Sequence, residues 1–249
     1  MAKKYKTGLV LSGGGTRGFA HLGAIAALHE KGIQPDVISG VSAGAIVGAF
    51  IAAGKTPEEV LDIFKKGWFF QYTKIHLPVD GLLKLDGVKE IVQKEIKIEK
   101  IEDLKIPFFI CVSNLNKGTV EYRNSGPLGD TVLASSSIPV LFAPVKLGRD
   151  LYVDGGLMDN IPVEPIKKDC DNLIVSNITP INPKAKMKNL IQIATRTVYM
   201  SVNVRTKEAK KVATHYIEPT GIDEYDMFMR KHADELFELG YKTTKKIIG

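Results

Sequence analysis

Asp36-Val37-Ile38-Ser39-Gly40-Val41-Ser42-Ala43-Gly44 decides how this chain is read. Asp36 to Ser39 is a short strand, and it runs at once into Gly-x-Ser-x-Gly. The residues that follow, Ala43 to Ala53, form an apolar helical stretch. Strand, sharp turn and helix are the setting in which a serine between two glycines serves as a nucleophile. Gly40 and Gly44 let the turn close without a clash of Cβ atoms, which lifts the Ser42 hydroxyl above the sheet edge. The start of the helix favours negative charge developing nearby. A turn that only caps a helix would use the same residue types, so the surroundings must decide.

Upstream, Lys6 to Ser12 is an apolar strand that stops at Gly13-Gly14-Gly15-Thr16-Arg17-Gly18. A helical pattern from Arg17 to Lys31 follows, with Gly32 as its C-terminal cap. G-x-G-x-x-G between a strand and a helix is a dinucleotide fingerprint. That reading needs an acidic residue at the end of the next strand, for the ribose hydroxyl. Here the strand ends in Ser39-Gly40, with Asp36 at its beginning, so a nucleotide-binding oxidoreductase is disfavoured. A glycine-rich turn can instead aim backbone N–H groups at an oxyanion, with the helix start behind it.

A serine nucleophile needs a base. His21 and His29 precede Ser42, inside the first helix. His76 lies in an aromatic segment, and His215 and His232 stand at no strand end beside turn residues. Asp154 is the better candidate. It ends the strand Leu151-Tyr152-Val153 and is followed by Gly155-Gly156, so its carboxylate would project from the same sheet edge as Ser42. Desolvation there would make it a stronger base towards a hydroxyl. Taken alone, Asp-Gly is a turn and nothing more.

The rest of the chain reads as α/β. Thr56-Pro57-Glu58-Glu59 starts a helix, and Asp86 to Ile96 and Asp130 to Ser137 read as two more. Pro107 to Ser113, Gly118 to Arg123 and Asn172 to Ile178 read as strands. Long helical patterns span Met187 to Val212 and His232 to Ile247. The expected architecture is three-layer α/β/α around a mostly parallel sheet, with a helical C-terminal region. One domain is expected over 1–249, with a catalytic core at about 7–167 and a C-terminal strand and helices over 168–249.

Gly-Gly-Gly-x-Arg-Gly, Gly-x-Ser-x-Gly and Asp-Gly-Gly, in this order, resemble the patatin-like phospholipase family. Ala134-Ser135-Ser136-Ser137-Ile138-Pro139 with Phe142-Ala143-Pro144 looks like the segment that family carries before its aspartate. Gly240-Tyr241 in the late helix resembles the C-terminal part of its short bacterial members. The resemblance implies Ser42 as nucleophile and Asp154 as general base, with no catalytic histidine. It implies an oxyanion hole from the amides of Gly13, Gly14 and Gly15. Arg17, Gly18, Gly40, Gly44, Gly155 and Gly156 complete the motifs, and Arg17 either steadies the loop or meets an anionic head group. The implied function is lipid acyl-ester hydrolysis of the phospholipase A, lysophospholipase or esterase type. A non-catalytic lipid-binding protein that kept the fold is the alternative.

Composition fits this reading. The chain has 249 residues, 44% hydrophobic and 25% charged, enough to bury a core. Two cysteines, Cys111 and Cys170, make neither a disulfide scaffold nor a four-cysteine zinc site. No zinc spacing or calcium loop is present, so no metal or cofactor is expected. No apolar run approaches the ~20 residues of a membrane span, and no signal peptide is evident. A cytoplasmic protein is expected. The net charge is +6 and the pI about 9.1. Eight basic residues lie between Lys184 and Lys211 against Glu208 alone. The expected partners are a lipid or other acyl ester and, peripherally, an anionic membrane surface; nucleic acid is not expected. Trp68, Phe69, Phe70 and Tyr72 mark Gly67 to Val79 as either a lid or a core patch.

Overall fold

The computed structural model describes residues 3–66, 85–181, 206–225 and 230–249, with single positions 187, 193, 196, 197, 200 and 227. Alternation along β1 (Tyr5–Leu11) sets the layers. Leu9 and Leu11 enter a large core with Leu22, Ile25, Phe50 and Ile91. Val10 points the other way, into a second core with Ile161, Val163, Ile166 and Val175. A strand buried on both faces reads as a continuous apolar run, as Gly8-Leu9-Val10-Leu11 does.

The remaining elements follow in chain order. They are α1 (Phe19–Glu30), β2 (Val37–Gly40), α2 (Ala43–Ala52), α3 (Pro57–Lys65), α4 (Asp86–Ile96), β3 (Phe108–Asn114) and β4 (Thr119–Arg123). Then come α5 (Leu128–Ser136), β5 (Val145–Leu147), β6 (Asp150–Asp154), β7 (Cys170–Ser176), α6 (Thr206–Val212), β8 (His215–Ile217) and α7 (Ala233–Ile248). The α3 start is a capping box, in which Thr56 and Glu59 each accept the other's backbone N–H.

The strands form one sheet in the order β5-β6-β3-β2-β1-β7-β8, with β4 on the other side of β3. The run β3-β2-β1-β7-β8 is parallel, and β4, β6 and β5 join antiparallel. The α/β class and the mostly parallel sheet are as expected from sequence. Strands β2 and β6 share one side of β3. Gly40 at the end of β2 pairs with Ile110, and Asp154 at the end of β6 pairs with Val112. Two strands running in opposite directions therefore meet end to end along β3, and this brings Asp154 to the turn after Gly40.

Helix α7 crosses α1 at backbone contact distance. A Cβ on Gly240 would stand 2.0 Å from the Ala20 carbonyl oxygen, and one on Gly23 would stand 1.8 Å from that of Phe237. Glu30 on α1 accepts from the Tyr241 hydroxyl and from Lys245 on α7.

Three expectations differ from the structure or fall outside it. Within the helical pattern of Met187 to Val212, the described helix is α6 (Thr206–Val212), and most of the earlier part lies outside the described residues. His215 opens a strand, β8, that sequence periodicity does not show. Gly67 to Val79 lies outside the described residues. Among the described residues, no helix is long and apolar enough to cross a membrane.

Candidate active site

Ser42 sits between the end of β2 and the start of α2 with φ 54° and ψ −121°. Positive φ is uncommon for a residue with a Cβ and marks stored strain. The flanking glycines make the turn sterically feasible. A Cβ on Gly40 would lie 2.5 Å from the Gly44 carbonyl oxygen, and one on Gly44 would lie 2.2 Å from that of Leu11. The Ser42 N–H donates to Ser135 Oγ at 2.9 Å, and Ser135 Oγ donates to the Cys111 carbonyl at 2.7 Å. Ser135 on α5 thus clamps the strained turn to β3. Its segment is legible in the sequence, but this role depends on partners that only the fold supplies.

Asp154 is brought against Ser42. Its N–H donates to the Ser137 carbonyl at 2.9 Å, and the Gly156 N–H donates to Asp154 Oδ1 at 2.7 Å. The Ser42 side chain lies near enough to favour the ionised carboxylate. Ser42 is 5% exposed and Asp154 6%. Burial pushes the Asp154 carboxyl up to about 7, against the Ser42 side chain and the Gly156 N–H, which favour its ionised form. Gly155 allows β6 to end against β3, since a Cβ there would stand 2.3 Å from the Cys111 carbonyl oxygen.

The glycine loop lies on the same edge. A Cβ on Gly13 would come within 3.2 Å of Ser42 Cβ. The Gly13 N–H points to the Asn160 carbonyl at 3.3 Å. The N–H groups of Gly14 and Gly15 have no partner among the described residues. Gly18 gives room to α2, where a Cβ would meet Ala43 Cβ at 3.3 Å. Arg17 is buried and does not reach solvent head-on. Its Nε and Nη2 donate to the Tyr225 carbonyl at 2.9 and 2.7 Å, and Nη2 also reaches that of Asp223 at 3.1 Å. The Thr16 N–H donates to the Met227 carbonyl at 2.9 Å. The loop is therefore tied to the chain after β8.

His21 supports the loop from behind. Nε2 lies 2.9 Å from the Ser12 carbonyl and Nδ1 lies 2.8 Å from Ser176 Oγ. A carbonyl only accepts, so Nε2 carries the proton and Nδ1 accepts from the serine hydroxyl. Complete burial pushes the imidazole down to about 4, which keeps it neutral at pH 7. His232 bonds Glu235 at 3.1 Å. None of the described histidines bonds Ser42 or Asp154. Among the described residues no group of three or more His, Cys, Asp or Glu could hold a metal ion.

A family model described as patatin-like phospholipase matches residues 9–167, a span that includes the glycine loop, Ser42 and Asp154. The chain belongs to the patatin-like phospholipase family. This patatin-like chain is 28% identical over 277 residues to "Lysophospholipase NTE1" of Mycosarcoma maydis, covering 97% of itself and 14% of that protein. It is 28% identical to "Patatin-like phospholipase domain-containing protein 7" of Rattus norvegicus, covering 94% of itself and 20% of that protein. The patatin-like chain thus spans a fifth or less of these curated relatives. Among solved structures, VipD from Legionella pneumophila superposes with a TM-score of 0.58 at 16% identity, over 98% of this chain and 66% of that one. At that identity the likeness is one of fold.

Proposed function

We propose that this patatin-like protein is a serine acyl-ester hydrolase acting on lipids, of the phospholipase A, lysophospholipase or esterase type, through a Ser42–Asp154 dyad. The observation that carries the reading is the meeting of the Ser42 turn and the buried Asp154 along β3, with the Asp154 carboxyl pushed up to about 7. A base poised at that value takes a proton efficiently near neutral pH. Asp154 accepts the Ser42 proton as Oγ attacks the ester carbonyl. The tetrahedral oxyanion is held by the amides of Gly14 and Gly15, and Gly13 joins them by releasing the Asn160 carbonyl. Each such donor is worth ~3–4 kcal/mol in comparable sites. Asp154 returns the proton to the leaving alcohol, and the acyl group stays on Ser42. Water then releases a fatty acid. The relatives named for lysophospholipid and phospholipid hydrolysis support this substrate class. The basic stretch Lys184 to Lys211 supports peripheral contact with anionic lipid.

Hydrolysis of a short p-nitrophenyl ester and of a phospholipid by the wild type, Ser42→Ala and Asp154→Asn tests the reading. Both variants are expected to lose at least ~10³-fold in kcat. A fluorophosphonate is expected to label Ser42. Labelling at another serine overturns the site. Absence of wild-type activity above the variants on every acyl ester favours a non-catalytic lipid-binding protein instead.

A further inference from the structure

Asn160 follows Asp154 by six positions, in Asp154-Gly155-Gly156-Leu157-Met158-Asp159-Asn160. It is 5% exposed, and its Oδ1 is buried with no hydrogen-bond partner among the described residues. An orphaned buried carbonyl oxygen costs free energy and calls for an explanation. Two glycines locate it. A Cβ on Gly13 would lie 2.4 Å from Asn160 Oδ1 and 3.2 Å from Ser42 Cβ. A Cβ on Gly156 would lie 2.8 Å from Asn160 Oδ1 and 2.9 Å from Asp154 Oδ1. The orphan oxygen therefore lies in the small region between Gly13 and Gly156, near both Ser42 and Asp154.

That an oxygen faces this space, and not the amide nitrogen, follows from the far end of a hydrogen-bond chain. Glu218 is ion-paired with Lys210 at 3.1 Å, and a carboxylate has no proton to give. Asn177 Nδ2 must donate to it, at 2.7 Å. Asn177 Oδ1 then accepts from the Thr179 hydroxyl and from the Thr179 N–H, both at 3.1 Å. With its only proton committed, Thr179 Oγ1 accepts from Asn160 Nδ2 at 2.7 Å. Asn160 Oδ1 is left as an acceptor at the dyad. The Thr179 N–H, which can only donate, and the Glu218 carboxylate together set the polarity of the chain.

We infer that Asn160 is a catalytic residue of the deacylation step, its Oδ1 holding the water that attacks the acyl–Ser42 ester. The inference rests on the dyad reading above. Water has two protons. One passes to Asp154 as the oxygen adds to the acyl carbon; the other is the hydrogen bond to Asn160. Collapse of the tetrahedral adduct breaks the bond from carbon to Ser42 Oγ. Asp154 returns its proton to Oγ, and the second proton leaves with the carboxylic acid. An acceptor here does nothing for the oxyanion and has no proton to take from Ser42, so acylation does not need it.

Methanol discriminates, because its single proton goes to Asp154 and its methyl group offers Asn160 nothing. The experiment is turnover of a p-nitrophenyl ester in water–methanol mixtures, with the ratio of methyl ester to free acid read by mass spectrometry. Asn160→Ala is expected to keep the p-nitrophenol burst, slow hydrolysis about tenfold and raise the methyl ester to acid ratio by the same factor. Thr179→Val, which keeps the side chain's shape and removes the acceptor of Asn160 Nδ2, is expected to shift the ratio in the same direction by a smaller factor. This second variant keeps the test open where Asn160→Ala fails to fold. An unchanged ratio in both variants overturns the inference and leaves the dyad standing. Absence of any burst or acyl–Ser42 adduct in the wild type overturns the dyad and the inference together.

Discussion

Asp154 is held in surroundings that oppose its own ionisation. Its carboxyl is pushed up to about 7 in the folded protein from an ordinary value of 3.8. Between these values the folded state binds the extra proton, so this group's contribution to stability is fully present below 3.8 and is lost as pH rises through about 7. On the proposed dyad, activity has the opposite sign, because only the ionised form accepts the Ser42 proton. kcat/KM is expected to rise tenfold per pH unit up to about 7 and to level off above it. Asp154→Asn is expected to abolish turnover and yet melt higher than the wild type at pH 8.5, with the gap closing towards pH 4. About three pKa units correspond to ~4 kcal/mol, which thermal melts across that range would register. The two turns that carry Ser42 and Asp154 were legible in the sequence, because Gly-x-Ser-x-Gly and Asp-Gly-Gly are turn chemistries that local residues dictate. Ser135, His21 and Asn160 were not read this way. Each acts through a partner more than ninety residues distant or through a glycine's missing side chain, as with Ser135 and Ser42, His21 and Ser176, and Asn160 and Gly13.

At the scale of elements, α1 and α7 cross at backbone contact. Gly23 faces the backbone of α7 at Phe237 and Gly240 that of α1 at Ala20, where added Cβ atoms would overlap carbonyl oxygens. Gly240→Ala is expected to cost about 3 kcal/mol, because two packed helices must separate to admit one methyl group. Urea titration would measure the loss, with activity per folded molecule retained. The β–α alternation up to β3 was legible because each strand is an apolar run closed by a turn. Strands β5 and β8 have three residues each. Three residues carry too little alternation to tell a strand from a loop, and Val145-Lys146-Leu147 and His215-Tyr216-Ile217 become strands only by pairing with β6 and β7.

Across the whole molecule, the glycine loop is fastened at the far end of the chain. Arg17 reaches the carbonyls of Asp223 and Tyr225, and Thr16 reaches that of Met227. The sequence left Arg17 between a structural role and contact with an anionic head group; burial against backbone carbonyls assigns it to the loop. Arg17→Met is expected to lower kcat/KM by at least ~10-fold and to slow fluorophosphonate labelling of Ser42 in proportion, because the Gly14 and Gly15 amides lose their fixed direction. Unchanged labelling would show that the loop holds its shape without the tie.

The end-to-end meeting of β2 and β6 on β3 has a consequence in time as well as in space. On the proposed dyad, Ser42 becomes a nucleophile only when β6 has docked, and β6 arrives by antiparallel pairing more than one hundred positions later in the chain. Contacts of such sequence separation form slowly. A refolding chain would therefore regain helix signal and apolar burial before its serine reacts. Covalent capture at Ser42 would act as a stopwatch for the docking of β6, and a newly made chain would stay chemically silent until that strand is in place.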